Sequence, residues 1–454
     1  MKMKRPTQTY TTLLLRSLVL CAGIGQMAQA ADLVEVYQKA LTGDPQFRQV
    51  AANKRAILEE RPQAMANLLP QINLSADIAG TSSERTGSNS IGFDSNRSFV
   101  DLSRSNSDTN GYNLNLSQPV FHGDRYLRLR QADNSIKQAD AELSAAQINL
   151  ALRVSTAYFN VLAAVDNLGY AEAEKRSLSQ QLEQAKQRFD VGLTAVTDVQ
   201  EAQAGYDRAV ADEIRATNEI DNAREALREI TGEYLPDLEV LDESIPMVSP
   251  EPADIESWAN NAMSNNLDVI AALHTVDIAR DEIKVQQAGH LPTVDLTARR
   301  SYNKSDTSEV SENTTNTIGL ELNMPLYSGG AVSSRTRASR ERLQQQLEGL
   351  ELIRRQAHRQ ARESYLGVMS GISQIKALQQ AVVSSEVALD ATRAGFEVGT
   401  RTAVDVVQSE RALFQAKRDL SRARYDYIIN TLNLKEAAGV LTIDDIEQIN
   451  QWLN

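Results

Sequence analysis

Two short segments place carboxylates at matched positions. Phe189-Asp190-Val191-Gly192, continuing to Asp198-Val199, and Phe396-Glu397-Val398-Gly399, continuing to Asp405-Val406, both fit F-x-V-G-x5-D-V. The glycine suits the left-handed residue that ends a helix. The aspartate six residues on has two chemical uses. It can cap the next helix, Asp198 with Glu201 or Asp405 with Gln408, in capping-box spacing. It can also supply charge: three copies of Asp405 around one axis would make a carboxylate ring that favours cations and repels anions. The two uses are compatible. Arg401, four residues before Asp405, has no counterpart in the first segment, where Leu193 and Thr194 stand. An unmatched arginine beside matched carboxylates suggests a salt link from Arg401 to Asp198 of the neighbouring turn. If partly exposed, such a link contributes only ~0–1 kcal/mol, weak enough to break when the turns move.

Other chemistry finds little footing. The only cysteine is Cys21, and the four histidines (His122, His274, His290, His358) are far apart with no i,i+4 pairing. No disulfide, thiol nucleophile or metal set is therefore expected. Nothing matches a glycine-rich phosphate loop, so neither a cofactor nor a catalytic residue is expected. Of 454 residues, 47 are Lys or Arg and 60 are Asp or Glu. That acidity leaves no basic face for nucleic acid.

The first thirty residues have the pattern of an export signal. Lys2, Lys4, Arg5 and Arg16 precede or flank apolar stretches, and Ala28-Gln29-Ala30 supplies small residues before a cut after Ala30. A lipoprotein alternative at Cys21 would want a small residue where Leu20 stands. Cleavage would leave 43 basic against 60 acidic side chains, a net charge of -17. Beyond the leader no segment reads as a transmembrane helix.

The segments bearing the aspartates belong to a duplication. Leu227, Glu229 and Gly232 match Leu434, Glu436 and Gly439 at the same offset of 207, and Pro119 and Gly123 match Pro325 and Gly329 at 206. Leu69-Pro70 matches Leu291-Pro292 at 222, so the first copy has 16 extra residues between these landmarks. The extra material falls in Thr81–Asn110, rich in Ser, Asn and Gly, and is expected to be a solvated loop. The copies span 31–250 and 253–454, with a linker over 232–252 and a tail over 440–454. No proline occurs between 120 and 235 or after 325. Long helices are expected at about 123–191 and 330–398, each ~100 Å long, with shorter ones at about 32–66, 195–231, 253–289 and 402–438. Leu129, Ala132, Ile136, Ala139, Leu143, Ala146 and Leu150 keep a 3,4 spacing. Leu343, Leu347, Leu350, Ala357, Ala361, Val368, Ile372 and Ile375 give a looser version.

Four stretches alternate strictly: Ile72, Leu74, Ala76, Ile78; Tyr112, Leu114, Leu116; Val294, Leu296, Ala298; and Ile318, Leu320, Leu322, Met324, each with polar residues between. Strands are expected at about 70–80, 111–121, 292–303 and 315–327. A half-buried sheet in a soluble domain gives such a pattern, and so does a membrane barrel with lipid outside and water inside. Four strands cannot close a barrel. Two chains would give eight strands and a filled interior, a poor place for Asp77, Asp295 and Glu321, whereas three would give twelve and room for water.

With these motifs in place, the chain resembles the TolC family of outer-membrane channel-tunnel proteins. The resemblance is carried by Val191-Gly192-Leu193 through Asp198-Val199-Gln200, Val398-Gly399-Thr400-Arg401-Thr402 through Val404-Asp405-Val406, and Pro325-Leu326-Tyr327 with Gly329-Gly330. It implies a mainly α, α+β chain. As a homotrimer it would form a twelve-stranded β-barrel in the outer membrane of a Gram-negative bacterium. The barrel would continue into a periplasmic α-helical coiled-coil barrel. The partners it implies are a periplasmic adaptor and an inner-membrane transporter of RND, ABC or MFS type, with drugs or secreted proteins as cargo. It further implies that Asp198 and Arg401 link neighbouring coils in the closed state and that Asp405 belongs to the entrance ring. The turns Gly192-Leu193 and Gly399-Thr400 would contact the adaptor. Two positions depart from the family: its linking tyrosine is Phe396 here, and its second entrance aspartate is Gln408. The rival from another class is a trimeric coiled-coil adhesin, which predicts one C-terminal anchor and no duplication.

Overall fold

The computed structural model describes residues 30–89, 99–242, 245–306 and 310–453. Cys21 and the export signal up to Gln29 lie outside these residues. Helices dominate. The long pair is α4 (Gly123–Asp190), preceded by α1 (Leu33–Gly43), α2 (Pro45–Leu58) and α3 (Glu60–Ala66), and α8 (Ala331–Glu397). α5 (Val196–Thr231) folds back along α4, and α9 (Ala403–Ala437) folds back along α8. Towards the sheet, α7 (Leu267–Gln287) packs on both long helices and α6 (Ile255–Asn265) packs on α8. The chain ends with α10 (Ile443–Asn450).

The regions expected as single helices at 32–66 and 253–289 are each interrupted, and the reason is packing at the waist of the molecule. Asp44 caps α2 by accepting from Phe47 N at 2.8 Å, and Asn266 caps α7 by accepting from Asp268 N at 3.0 Å. Both breaks admit the end of a neighbouring helix. A Cβ on Gly43 would stand 2.0 Å from Thr231 O, and one on Gly439 would stand 2.1 Å from Asn265 O. Only glycine allows these backbones to touch.

That waist is also the core. Leu150, Val154, Tyr158 and Phe159 of α4 meet Val368 and Ile375 of α8 and Ile428 and Leu432 of α9, all buried. The Tyr158 hydroxyl donates to Glu239 O at 2.8 Å and to Ala31 O at 3.2 Å, and burial pushes its phenol well above the ordinary range. α4 does contain one stretch apolar enough to cross a membrane, contrary to expectation, and about half of it (56%) is buried in this core. Its apolar side chains serve packing between helices. Of the spaced residues predicted as helix seams, Ala132, Ala139 and Leu150, and Leu350, Ala357, Ala361, Val368, Ile372 and Ile375, are buried.

The strands form one antiparallel sheet in the order β1-β2-β3-β4: β1 (Gln71–Asn89), β2 (Phe99–Phe121), β3 (Thr293–Asp306) and β4 (Val310–Asn323). The region expected to be a loop at Thr81–Asn110 is instead mostly ladder. Pairing continues from Thr81 with Ser107 to Asn89 with Phe99, beyond the last row of β3, where Asp108 meets Asp306. Ladder hydrogen bonds come from the backbone, so loss of apolar alternation ended the predicted strands without ending the real ones.

Candidate functional site

The end of the molecule remote from the sheet is built by two matching turns. Gly192 and Gly399 adopt φ of 77° and 79°. Gly192 N and Leu193 N donate to Phe189 O and Arg188 O at 2.9 and 2.8 Å, while Gly399 N and Thr400 N donate to Phe396 O and Gly395 O at 3.1 and 2.8 Å. Both are Schellman closures, which satisfy the last carbonyls of a helix and need a left-handed residue. They project Val191, Leu193 and Val398 into solvent, 68%, 76% and 75% exposed.

The aspartates do not occupy the cap position expected of them. Thr402 is the N-cap of α9, and Asp405 is the reciprocal third residue. Asp405 Oδ2 accepts from Thr402 N at 2.9 Å and from its hydroxyl at 3.0 Å, while Thr402 Oγ1 accepts from Asp405 N at 3.3 Å. The Thr402 N–H, then its hydroxyl, and the nearby Arg401 charge hold the Asp405 carboxyl below its usual range. In the first copy the cap position is Ala195, which has no acceptor, and Asp198 takes the Thr194 hydroxyl. Glu201 and Gln408 are thus not the reciprocal partners. In the second copy the box lies three residues, nearly one helical turn, earlier than its spacing suggested.

Arg401 lies against the last turn of α8, where a Cβ on Gly395 would stand 2.7 Å from its Cγ. Among the described residues of the single chain it forms no ion pair with Asp198. Phe396 packs beside Leu389, Val406 and Leu413, and the Arg188 guanidinium lies 4.7 Å from its ring centroid. Gln408 is exposed on α9.

The sequence reading missed a polar seam just behind the turns. Glu410 is 2% exposed, and its Oε1 accepts from Arg393 at 2.6 Å and Ser177 at 2.8 Å. Gln181, also buried, donates to Ala403 O at 3.1 Å. These groups and Arg188 line a groove of about 760 Å³ between α4, α8 and α9. The available signal was a glutamate inside the apolar spacing Ala403, Val406, Glu410, Leu413.

At the opposite end, the sheet separates its faces. Ile72, Leu116, Ala298 and Ile318 form one row of the ladder, and Leu74 with Leu114 continues the same face. Ile78, Ile318 and Leu320 are 89%, 81% and 71% exposed. The other face carries Asp77, Asn113, Asn115, Arg299 and Thr317, with Asp295 paired to Glu321 in register. Arg299 Nε donates to Asn115 at 2.7 Å, and His122 Nε2 lies 3.0 Å from both Asp295 oxygens. The upper limit of the apolar face climbs across the sheet. It falls at Ile318 on β4, in the row of Ala298, at Tyr112 on β2, in the row of Tyr302, and at Ile78 on β1, in the row of Lys304. Two residues per strand, at ~3.3 Å per residue and ~4.8 Å between strands, incline this limit by about 50°.

A chain with a long helical body and an exposed apolar sheet face whose limit is steeply inclined to the strand rows has the form seen in outer-membrane channel proteins. Its sequence matches the outer membrane efflux protein family over residues 36–233 and 258–440, and the chain belongs to that family. It is 38% identical to outer membrane protein TolC of Vibrio cholerae, over 96% of this chain and 98% of that one. It is 37% identical to TolC of Escherichia coli, over 95% and 87%. With the alkaline protease secretion protein AprF of Pseudomonas aeruginosa it shares 31% identity over 93% and 87%. Among solved structures, CusC superposes with a TM-score of 0.76 at 21% identity, covering 90% of this chain and 92% of that one. CmeC of Campylobacter jejuni gives 0.73 at 17%, covering 93% and 90%. These relatives are channels rather than enzymes, and this protein is an outer-membrane channel of the efflux and secretion class.

Proposed function

We propose that three chains assemble into one duct, a twelve-stranded barrel in the outer membrane of a Gram-negative bacterium continued by a helical tunnel in the periplasm. The observation that carries this reading is the sheet: four strands, free edges at β1 and β4, a bare apolar face on one side and carboxylates on the other. Four strands fall short of the ~8 of the smallest barrels. Twelve strands leave a watery interior for Asp77, Asp295 and Glu321, and strands in such barrels tilt by ~35–45°, in keeping with the inclined apolar limit. The matched landmarks of the two halves, and the two family segments, support an internal duplication. Cleavage after Ala30 would free Ala31, which is buried and donates its N–H to Asp237 O at 3.0 Å.

At the periplasmic end, Asp405 forms a single carboxylate ring with Gln408 one turn inward. Arg401 and Asp198 link neighbouring coils in the closed state, and Phe396 supports them by packing. The tips Gly192-Leu193 and Gly399-Thr400 meet a periplasmic adaptor, which joins the duct to an inner-membrane transporter that supplies the energy. Relatives named for alkaline protease secretion and for cation efflux support cargo ranging from proteins to small solutes. Single-channel recording in planar bilayers, with molar mass measured in detergent, tests the assembly. A cation-preferring channel from a trimer is expected. A monomer soluble without detergent that passes no ions would overturn it.

A further inference from the structure

We infer that Arg300, flanked by Tyr112 and Tyr302, is a binding site for a phosphate of lipopolysaccharide in the outer leaflet. The inference rests on reading the sheet as part of a membrane barrel. Arg300 lies on the apolar face of β3, in the row of Leu74, Leu114 and Asn316. It is exposed, and its side chain makes no ion pair or hydrogen bond with the described residues. The other cations of β3 described above are engaged: Arg299 on the polar face by Asn115, and Lys304 by Glu312 at 2.9 Å. No acid stands opposite Arg300 on either neighbouring strand.

Its height gives the partner. The apolar limit passes Ile318 on β4, in the row of Ala298, and Tyr112 on β2, in the row of Tyr302; on β3 Tyr302 is the last ring of that face, so Arg300, the same-face residue just before it, stands at the border. A cation on the lipid face is strongly unfavourable at mid-membrane and tolerated at the interface, where headgroup phosphates lie. All four strands join their helices at the other end of the sheet, so this border faces outward when the helices are periplasmic. The outward leaflet of such a membrane is built of phosphorylated glycolipid. Tyr112 and Tyr302 stack with centroids 5.5 Å apart and an interplanar angle of 21°. Amphipathic rings at this level match the aromatic girdle of membrane barrels, and guanidinium pairs phosphate through two parallel N–H donors. The mature chain is otherwise strongly acidic and would repel a phosphorylated lipid, so a bare arginine here is a local exception.

The test is native mass spectrometry of the full mature protein in detergent with diphosphoryl lipid A, dephosphorylated lipid A or inorganic phosphate added. Wild type is expected to retain diphosphoryl lipid A about tenfold more tightly than the dephosphorylated form. Arg300→Gln is expected to lose that difference, Arg300→Lys to keep part of it, and millimolar inorganic phosphate not to compete. Equal retention by Arg300→Gln and wild type would overturn the site. Full competition by inorganic phosphate would overturn the lipid as its occupant. Conductance of the same samples separates the two readings. Channels of normal conductance with unchanged lipid retention defeat only this site, whereas absence of channels defeats the barrel itself.

Discussion

The carboxylate of Asp405 is held charged by the chain that it organises. Its pKa lies below the ordinary value, so its bonds to Thr402 are complete above the usual carboxylate range and are lost as pH falls through the lowered value. Amide exchange over 403–406 should stay protected through mildly acidic pH and rise only in stronger acid. Asp405→Asn keeps an acceptor oxygen for Thr402 N, so thermal stability at neutral pH should be nearly unchanged and the acid-dependent fraying should disappear. In bilayers the same variant should show weaker cation preference, and unchanged selectivity would leave Asp405 only its role in the turn. Phe396 offers a second test. Phe396→Tyr preserves the face under Arg188, whereas Phe396→Leu should lose ~0.5–1 kcal/mol, measurable in a double-mutant cycle with Arg188→Gln. The matched glycines and aspartates were legible because each turn is local. Arg188 over Phe396 and Ser177 on Glu410 were not, since those partners lie more than 200 positions apart in sequence.

At the level of elements, the proline-free stretches marked where helix could run and the matched glycines Gly123, Gly192, Gly330 and Gly399 marked its ends, as α4 and α8 do run, because breakers and turn residues are local facts. The breaks at Asp44 and Asn266 were hidden, because they exist to receive Thr231 and Gly439 from distant segments. Gly439→Ala must accommodate both a positive φ of 69° and a Cβ 2.1 Å from Asn265 O, so it should destabilise by more than ~3 kcal/mol. Gly192→Ala meets no neighbour and should lose only ~1 kcal/mol for its φ. Chemical denaturation of the two variants side by side would expose that contrast. Tyr158→Phe should cost ~1–2 kcal/mol by removing the hydroxyl that donates to Glu239 O, while Ala31 O keeps the Glu239 N–H. The ladder over Thr81–Asn110 was illegible for a different reason: backbone pairing in polar surroundings leaves no hydrophobic period to read.

For the whole molecule, the apolar sheet face and the free strand edges have no partner among the described residues of one chain, so in the proposed trimer stability and passage would be properties of the assembly. Arg401→Ser should raise single-channel conductance severalfold if Arg401 restrains the closed tip, and conductance equal to wild type would discard that restraint. The alternation of the strands was readable, and so was their shortfall for closing a barrel. The inclination of the apolar limit was not, because it exists only once four strands are in register.

The β1–β2 hairpin stands well above its shorter neighbour. Around a threefold ring, tall polar pickets would therefore alternate with low sills, giving the mouth a notched parapet. Material leaving the bore could spill sideways through three gaps, and anything settling on the opening from outside would touch the pickets first.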